Sequence, residues 1–81
     1  MATDFSRLQR PRVSMPADVQ AALRARGLQT AYRQRPAYQQ NDYLAWIGRA
    51  VRPATRQKRL EQMLDELQRG GVYMKMKWSP R

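Results

Sequence analysis

The chain has no cysteine and no histidine among its 81 residues. Without thiols there is no disulfide to brace the fold, and no thiolate to ligate a metal or attack a substrate. Without imidazole, the usual general base at neutral pH and the commonest zinc ligand are both missing. Acids are scarce too: Asp4, Asp18, Asp42, Glu61, Asp65 and Glu66 are the whole set. No hydroxyl has an activating base near it in sequence, and the neighbours Asp65 and Glu66 would point in different directions from a helix. Acid–base catalysis lacks its ordinary parts, so neither an enzyme nor a bound cofactor or metal is expected. No apolar run approaches membrane-spanning length. The opening MATDFSRLQRPR also lacks the apolar core of an export signal, which makes a cytoplasmic location the expectation.

What the chain has in abundance is positive charge. Thirteen Arg and three Lys against six acids leave a net charge of +10. Such a surface attracts nucleic acid or another polyanion, anionic lipid or acidic proteins without choosing among them. Arg in place of Lys favours planar, bidentate contacts with phosphate or carboxylate. The plainer reading is that the charge keeps a small protein soluble and monomeric. At this length there is room for one domain, whose core rarely contributes more than about 3–5 kcal/mol of net stability.

The pattern divides the chain into three parts. Residues 1–13 carry Arg7, Arg10, Arg12 and Pro11 with few apolar anchors, and read as a mobile basic arm. Residues 14–71 read as an all-α domain, a compact bundle of four short helices. Ser14 or Met15 would cap the first helix, with Pro16 and Asp18 in its first turn and Gly27 ending it. Leu28, Ala31, Tyr32 and the Arg35 stem line a short second helix that Pro36 terminates. Tyr43, Trp46, Ile47 and Ala50 form an i, i+3, i+4, i+7 stripe on a third helix reaching about Val51. Pro53 opens a fourth, on which Leu60, Met63, Leu64 and Leu67 repeat that spacing until Gly70-Gly71. Asp65 and Arg69 on it are four apart, as in a weak surface ion pair. Residues 72–81 differ, because Val72, Met74, Met76 and Trp78 alternate with Tyr73, Lys75 and Lys77, which is strand periodicity. A lone strand must pair, dock or stay loose. The reading favoured here is an extended tail laying Met74, Met76 or Trp78 against the bundle.

Two constellations bear on function. Around the start of the fourth helix lie Arg49, Arg52, Arg56, Lys58 and Arg59, where dipole logic would place acids. A helix N-terminus with added guanidinium forks suits an anion, with Arg52, Thr55, Arg56 and Arg59 as ligands and Lys58 on the rim. The competing reading has Arg52, Arg56 and Arg59 brace the helix junction, pairing with Asp42, Asp18 or a helix C-terminus and covering Trp46 with their stems. Tyr38, Tyr43 and Trp46 nearby suggest the aromatic-and-basic mixture of nucleic-acid binders. Helical spacing assigns Tyr43 and Trp46 to the core and leaves Tyr38 freer. The short turn between the third and fourth helices, followed by Thr55, Arg56, Gln57 and Arg59, also fits a helix-turn-helix, a weak signal in any bundle. The second constellation is the tail. Val72, Met74, Met76 and Trp78 could add to a protein partner's sheet edge or fill its groove.

The blocks Pro16…Asp18-Val19…Ala22-Leu23, Asp42-Tyr43…Trp46-Ile47…Ala50 and Thr55-Arg56…Arg59-Leu60, closed by Gly70, resemble the helical domain of the YdeI/OmpD-associated family, also labelled bacteriocin-protection. The resemblance covers residues 16–70. It implies a helical fold and hardly any function, and it supplies no agreed catalytic residues. The residues themselves are read as a binding or accessory module without catalysis. The family's names imply resistance to envelope-acting agents or association with a porin. A periplasmic setting proposed for relatives is not carried over to this chain. Val51 stands where the family usually has lysine, which removes one ligand from an anion site there.

Overall fold

Helix boundaries follow proline and glycine closely in this computed structural model, which describes residues 14–79. The arm expected over residues 1–13 lies outside the described residues. Helix α1 (Ala17–Arg26) starts just after Pro16, whose φ of −66° is already fixed by its ring. Pro16 itself is the flanking residue, and its carbonyl accepts the Gln20 N–H at 3.0 Å. Neither Ser14 nor Met15 therefore acts as the cap, because the helix begins one residue later than expected. Gly27 ends α1 at φ 66°, the left-handed conformation that a Cβ disfavours. The Leu28 N–H then reaches back to the Leu23 carbonyl at 2.9 Å, satisfying an orphan acceptor.

Helix α2 (Gln29–Gln34) stops because Pro36 forces Arg35 into extended geometry. Helix α3 (Ala37–Gly48) stops three residues before Val51. Glycine is a poor helix former, and Ala50 and Val51 are left to make the connection. Val51 is 95 % exposed there. Helix α4 (Pro53–Arg69) has Pro53 in its first turn and Gly70 at φ 83° beyond its end.

The stripes meet as their spacing requires. Leu60, Met63, Leu64 and Leu67 of α4 pack against Tyr43, Leu44 and Ile47 of α3, Val19 and Leu23 of α1, and Leu28 and Tyr32 around α2. Trp46 is only half-buried and lies at the edge of this core. Burial raises the pKa of the Tyr32 hydroxyl to about 12, so it stays protonated at any ordinary pH.

The tail takes a different form from the extended one expected. Strands β1 (Val72–Tyr73) and β2 (Met76–Lys77) pair antiparallel, Val72 opposite Lys77 and Tyr73 opposite Met76. The chain answers the need of strand backbone for partners by turning on itself. The turn residues Met74 and Lys75 both have positive φ, 50° and 65°, which a two-residue hairpin loop requires and which glycine or asparagine usually supplies.

Glu66 stabilises that turn. Its carboxylate is buried and accepts the backbone N–H of Met74 through Oε1 and of Lys75 through Oε2, each at 2.8 Å. It also accepts the Tyr43 hydroxyl and, at 3.1 Å, the Gln62 amide. Burial, with the Glu66 hydrogen bond next, raises the Tyr43 pKa, so that hydroxyl stays a donor. On the other side of the hairpin, the Tyr73 hydroxyl donates to Asp42 at 2.6 Å and its ring meets Tyr43 and Tyr38 edge-on. Two left-handed residues cost about 1–3 kcal/mol each, and a buried carboxylate aimed at both their N–H groups offsets that cost.

Candidate functional site

The basic residues at the start of α4 separate onto two faces. Arg56 turns toward α1, where Nε and Nη2 each hold the Asp18 carboxylate at 2.9 Å. Its Nη1 donates to the Ile47 carbonyl at 3.4 Å near the end of α3. Arg59 turns toward α3 instead. Its Nη1 donates to the Trp46 carbonyl at 2.7 Å, and its guanidinium carbon sits 5.3 Å from the Trp46 ring centre. Both arginines therefore satisfy carbonyls in the last turn of α3, as cations near a helix C-terminus do. Arg52 is exposed just ahead of α4.

The Asp18–Arg56 pair carries a pH prediction. The hydrogen bond from Arg56 is the main reason that the Asp18 carboxyl titrates below its usual 3.8. A carboxylate lowered in the folded state adds stability that is complete above its unfolded pKa and fades as pH falls through the folded one. The pair is open to solvent, which screens it, so its contribution is small. Asp18→Asn is expected to lower the melting temperature by a few degrees at pH 7, with the gap closing as pH falls below the ordinary carboxyl value of 3.8. Melts of the two proteins across that range test this. A gap that keeps the same size as the pH is lowered through the acid range would mean that the pair's charge contributes nothing.

The second face of α4 borders a cleft of about 330 Å³. Thr55, Lys58, Arg59 and Gln62 line it from α4, Trp46 from α3 and Lys75 from the hairpin turn. Three cations and an indole converge there, and among the described residues no carboxylate lines it. Of the residues singled out in sequence, Thr55, Lys58 and Arg59 come together in this cleft, whereas Arg52 and Arg56 do not line it. Sequence reasoning missed Lys75, because an extended tail would not have brought it to α4. It also placed Trp46 in the core without its exposed part. The signal for Lys75 lay in Glu66, an acid at the edge of the apolar stripe that had to be satisfied from elsewhere.

The four tail residues proposed for a protein partner have separate fates. Met74 packs against the core, Trp78 lies 4.5 Å over the Arg35 guanidinium, and Val72 is half-buried. Met76 remains 59 % exposed. Among the described residues, no group of three or more His, Cys, Asp or Glu comes together to hold a metal. Nor is any helix among them long and apolar enough to cross a membrane.

Fold and cleft together define a small helical module, braced by arginines at one end of α4 and latched by a buried glutamate at the other. The chain belongs to the family described as Bacteriocin-protection, YdeI or OmpD-Associated, which matches residues 12–70. No match was found among curated proteins or solved structures.

Proposed function

We propose that this protein is a non-catalytic module that binds a polyanion, nucleic acid in the first place, in the cleft between α4 and the hairpin turn. The observation that carries this reading is the convergence of Lys58, Arg59 and Lys75 beside Trp46, with no acid among the described residues of the lining. Like charges brought together at one concave spot repel one another, and a bound anion relieves that repulsion. The net charge of +10 draws polyanions toward the molecule, while the cleft gives them a place to settle. Arg59 is fixed by the Trp46 carbonyl, so it loses little freedom on meeting a phosphate. A cytoplasmic setting, where nucleic acid is at hand, is part of the same proposal.

A salt titration of binding tests it, with DNA, RNA and heparin as ligands. The logarithm of the affinity is expected to fall linearly with the logarithm of salt, by about 0.9 per phosphate neutralised on a duplex and about 0.7 on a single strand. The double variant Lys58→Gln, Lys75→Gln should flatten that slope by roughly 1.4–1.8, as two lost phosphate contacts require. Binding that ignores salt, or a slope unchanged in the double variant, would overturn the proposal.

A further inference from the structure

The cleft does not end at Lys75. A second hollow of about 630 Å³ continues from it, lined by Gln62, Asp65, Glu66 and Arg69 of α4 and by Gly71, Val72, Lys75 and Lys77. Gln62 and Lys75 border both hollows, which therefore lie side by side along α4 and are taken together as one trough. Its α4 side is a single helical stripe, Thr55, Lys58, Arg59, Gln62, Asp65, Glu66 and Arg69, at the spacing of one face. From Thr55 to Arg69 that stripe is about 21 Å long at 1.5 Å per residue.

Resting on the polyanion reading above, we infer that the ligand of this trough is a single-stranded nucleic acid lying along α4, with a base against the Trp46–Arg59 pair. Charge along the trough suits a strand. Lys58, Arg59 and Lys75 stand at its Trp46 end and Lys77 farther on, while Arg69 is paired with Asp65 at 3.3 Å and Glu66 is committed to the hairpin turn. The aromatic component decides between strand and duplex. Bases in a duplex are stacked on one another and show a protein only their edges, which an inserted helix reads from a groove. Here the indole is half-buried in a concave wall and cannot reach a stacked base. A single strand offers unstacked bases, which bind aromatic faces and arginine planes with little regard to sequence.

Trp46 can report on this directly. The chain has two tryptophans, and Trp78→Phe leaves Trp46 as the only one while keeping a ring over Arg35. In that variant, first shown by circular dichroism to keep its helices, an eight-nucleotide oligo-dT is expected to quench Trp46 emission saturably. It should bind at least tenfold more tightly than a duplex of equal length or heparin. Lys75→Gln added to it should weaken the oligonucleotide several-fold. If the duplex or heparin binds as tightly, or the oligonucleotide binds by anisotropy without changing Trp46 emission, the single-strand inference fails and the polyanion reading stands. If none of the three ligands binds, both fail together.

Discussion

Glu66→Ala is expected to release the hairpin and cost about 3–5 kcal/mol, which is close to the whole net stability of a domain this small. The carboxylate serves four donors: the Met74 and Lys75 N–H groups, the Tyr43 hydroxyl and the Gln62 amide. Alanine would leave the Tyr43 hydroxyl buried without its acceptor, and an unsatisfied buried donor costs about 1–3 kcal/mol. It would also leave two residues in the left-handed region with nothing to hold them there. The turn would then open and take Tyr73 away from Asp42. Glu66→Gln should cost less, about 1.5–3 kcal/mol, because one oxygen remains to accept while the amide nitrogen faces an N–H. At roughly 4–8 °C per kcal/mol, these changes are large in a thermal melt. Amide exchange separates the local event from the global one: protection at Met74 and Lys75 should vanish in Glu66→Gln while that of α4 persists. A melt within about 4 °C of the parent for Glu66→Ala would show that packing alone holds the hairpin.

Much of this arrangement could be read beforehand, and the division is physical. Periodicity is a property of neighbours on one helix, so the stripes on α3 and α4 and their proline and glycine boundaries were legible from spacing alone. The hairpin was not. Its turn is Met74-Lys75, without the glycine or asparagine that normally marks left-handed geometry, and it is held by a carboxylate eight and nine positions back in the chain. A long-range partner that overrides local preference leaves little trace in a local pattern. Glu66 was the faint trace. It adjoins Leu67 and lies three from Met63, at the margin of the buried stripe, whereas its neighbour Asp65 points out to Arg69. Gln39 is a similar case, fully buried on α3 because Arg35 and Tyr38 satisfy its amide. At the candidate site, the cluster at the start of α4 was visible as a run of charge. How it divides was not, since that depends on Asp18 arriving from α1 and Trp46 from α3. The Arg56 bond to Asp18 and the Arg59 bond to the Trp46 carbonyl match the bracing roles weighed for these residues. Bracing does not exclude binding for Arg59, since a guanidinium has more donors than one carbonyl can use.

Arg35 is where the second large effect is expected. It is 5 % exposed, and among the described residues no carboxylate forms a salt bridge with it. Its guanidinium instead donates to the Gln39 side chain at 3.1 Å and the Glu66 backbone carbonyl at 3.0 Å, with Trp78 stacked 4.5 Å away. Replacing a buried charge by an apolar group of equal length can be neutral, because the desolvation penalty disappears with it. Three losses act against that relief in Arg35→Met. The Gln39 oxygen is left without a donor in a dry site, at about 1–3 kcal/mol. The stacking on Trp78 goes, at about 0.5–2 kcal/mol. Glu66 also keeps its buried charge while losing a cation close enough for Tyr43 to feel both. The Glu66 carbonyl itself is not orphaned, since Gly70 also donates to it. The net expectation for Arg35→Met is a loss of about 2–3 kcal/mol, seen as a melt roughly 8–24 °C lower, with Trp78 emission shifted toward that of exposed indole. Arg35→Lys keeps the charge without the planar fork and should fall between the two. A double-mutant cycle with Glu66→Gln decides whether the two charges act as one unit, and a coupling above about 1 kcal/mol is expected. Were Arg35→Met as stable as the parent and Trp78 unmoved, the guanidinium would be a tolerated burial, and the link from α2 through α4 to the hairpin would rest on the Glu66 carboxylate alone.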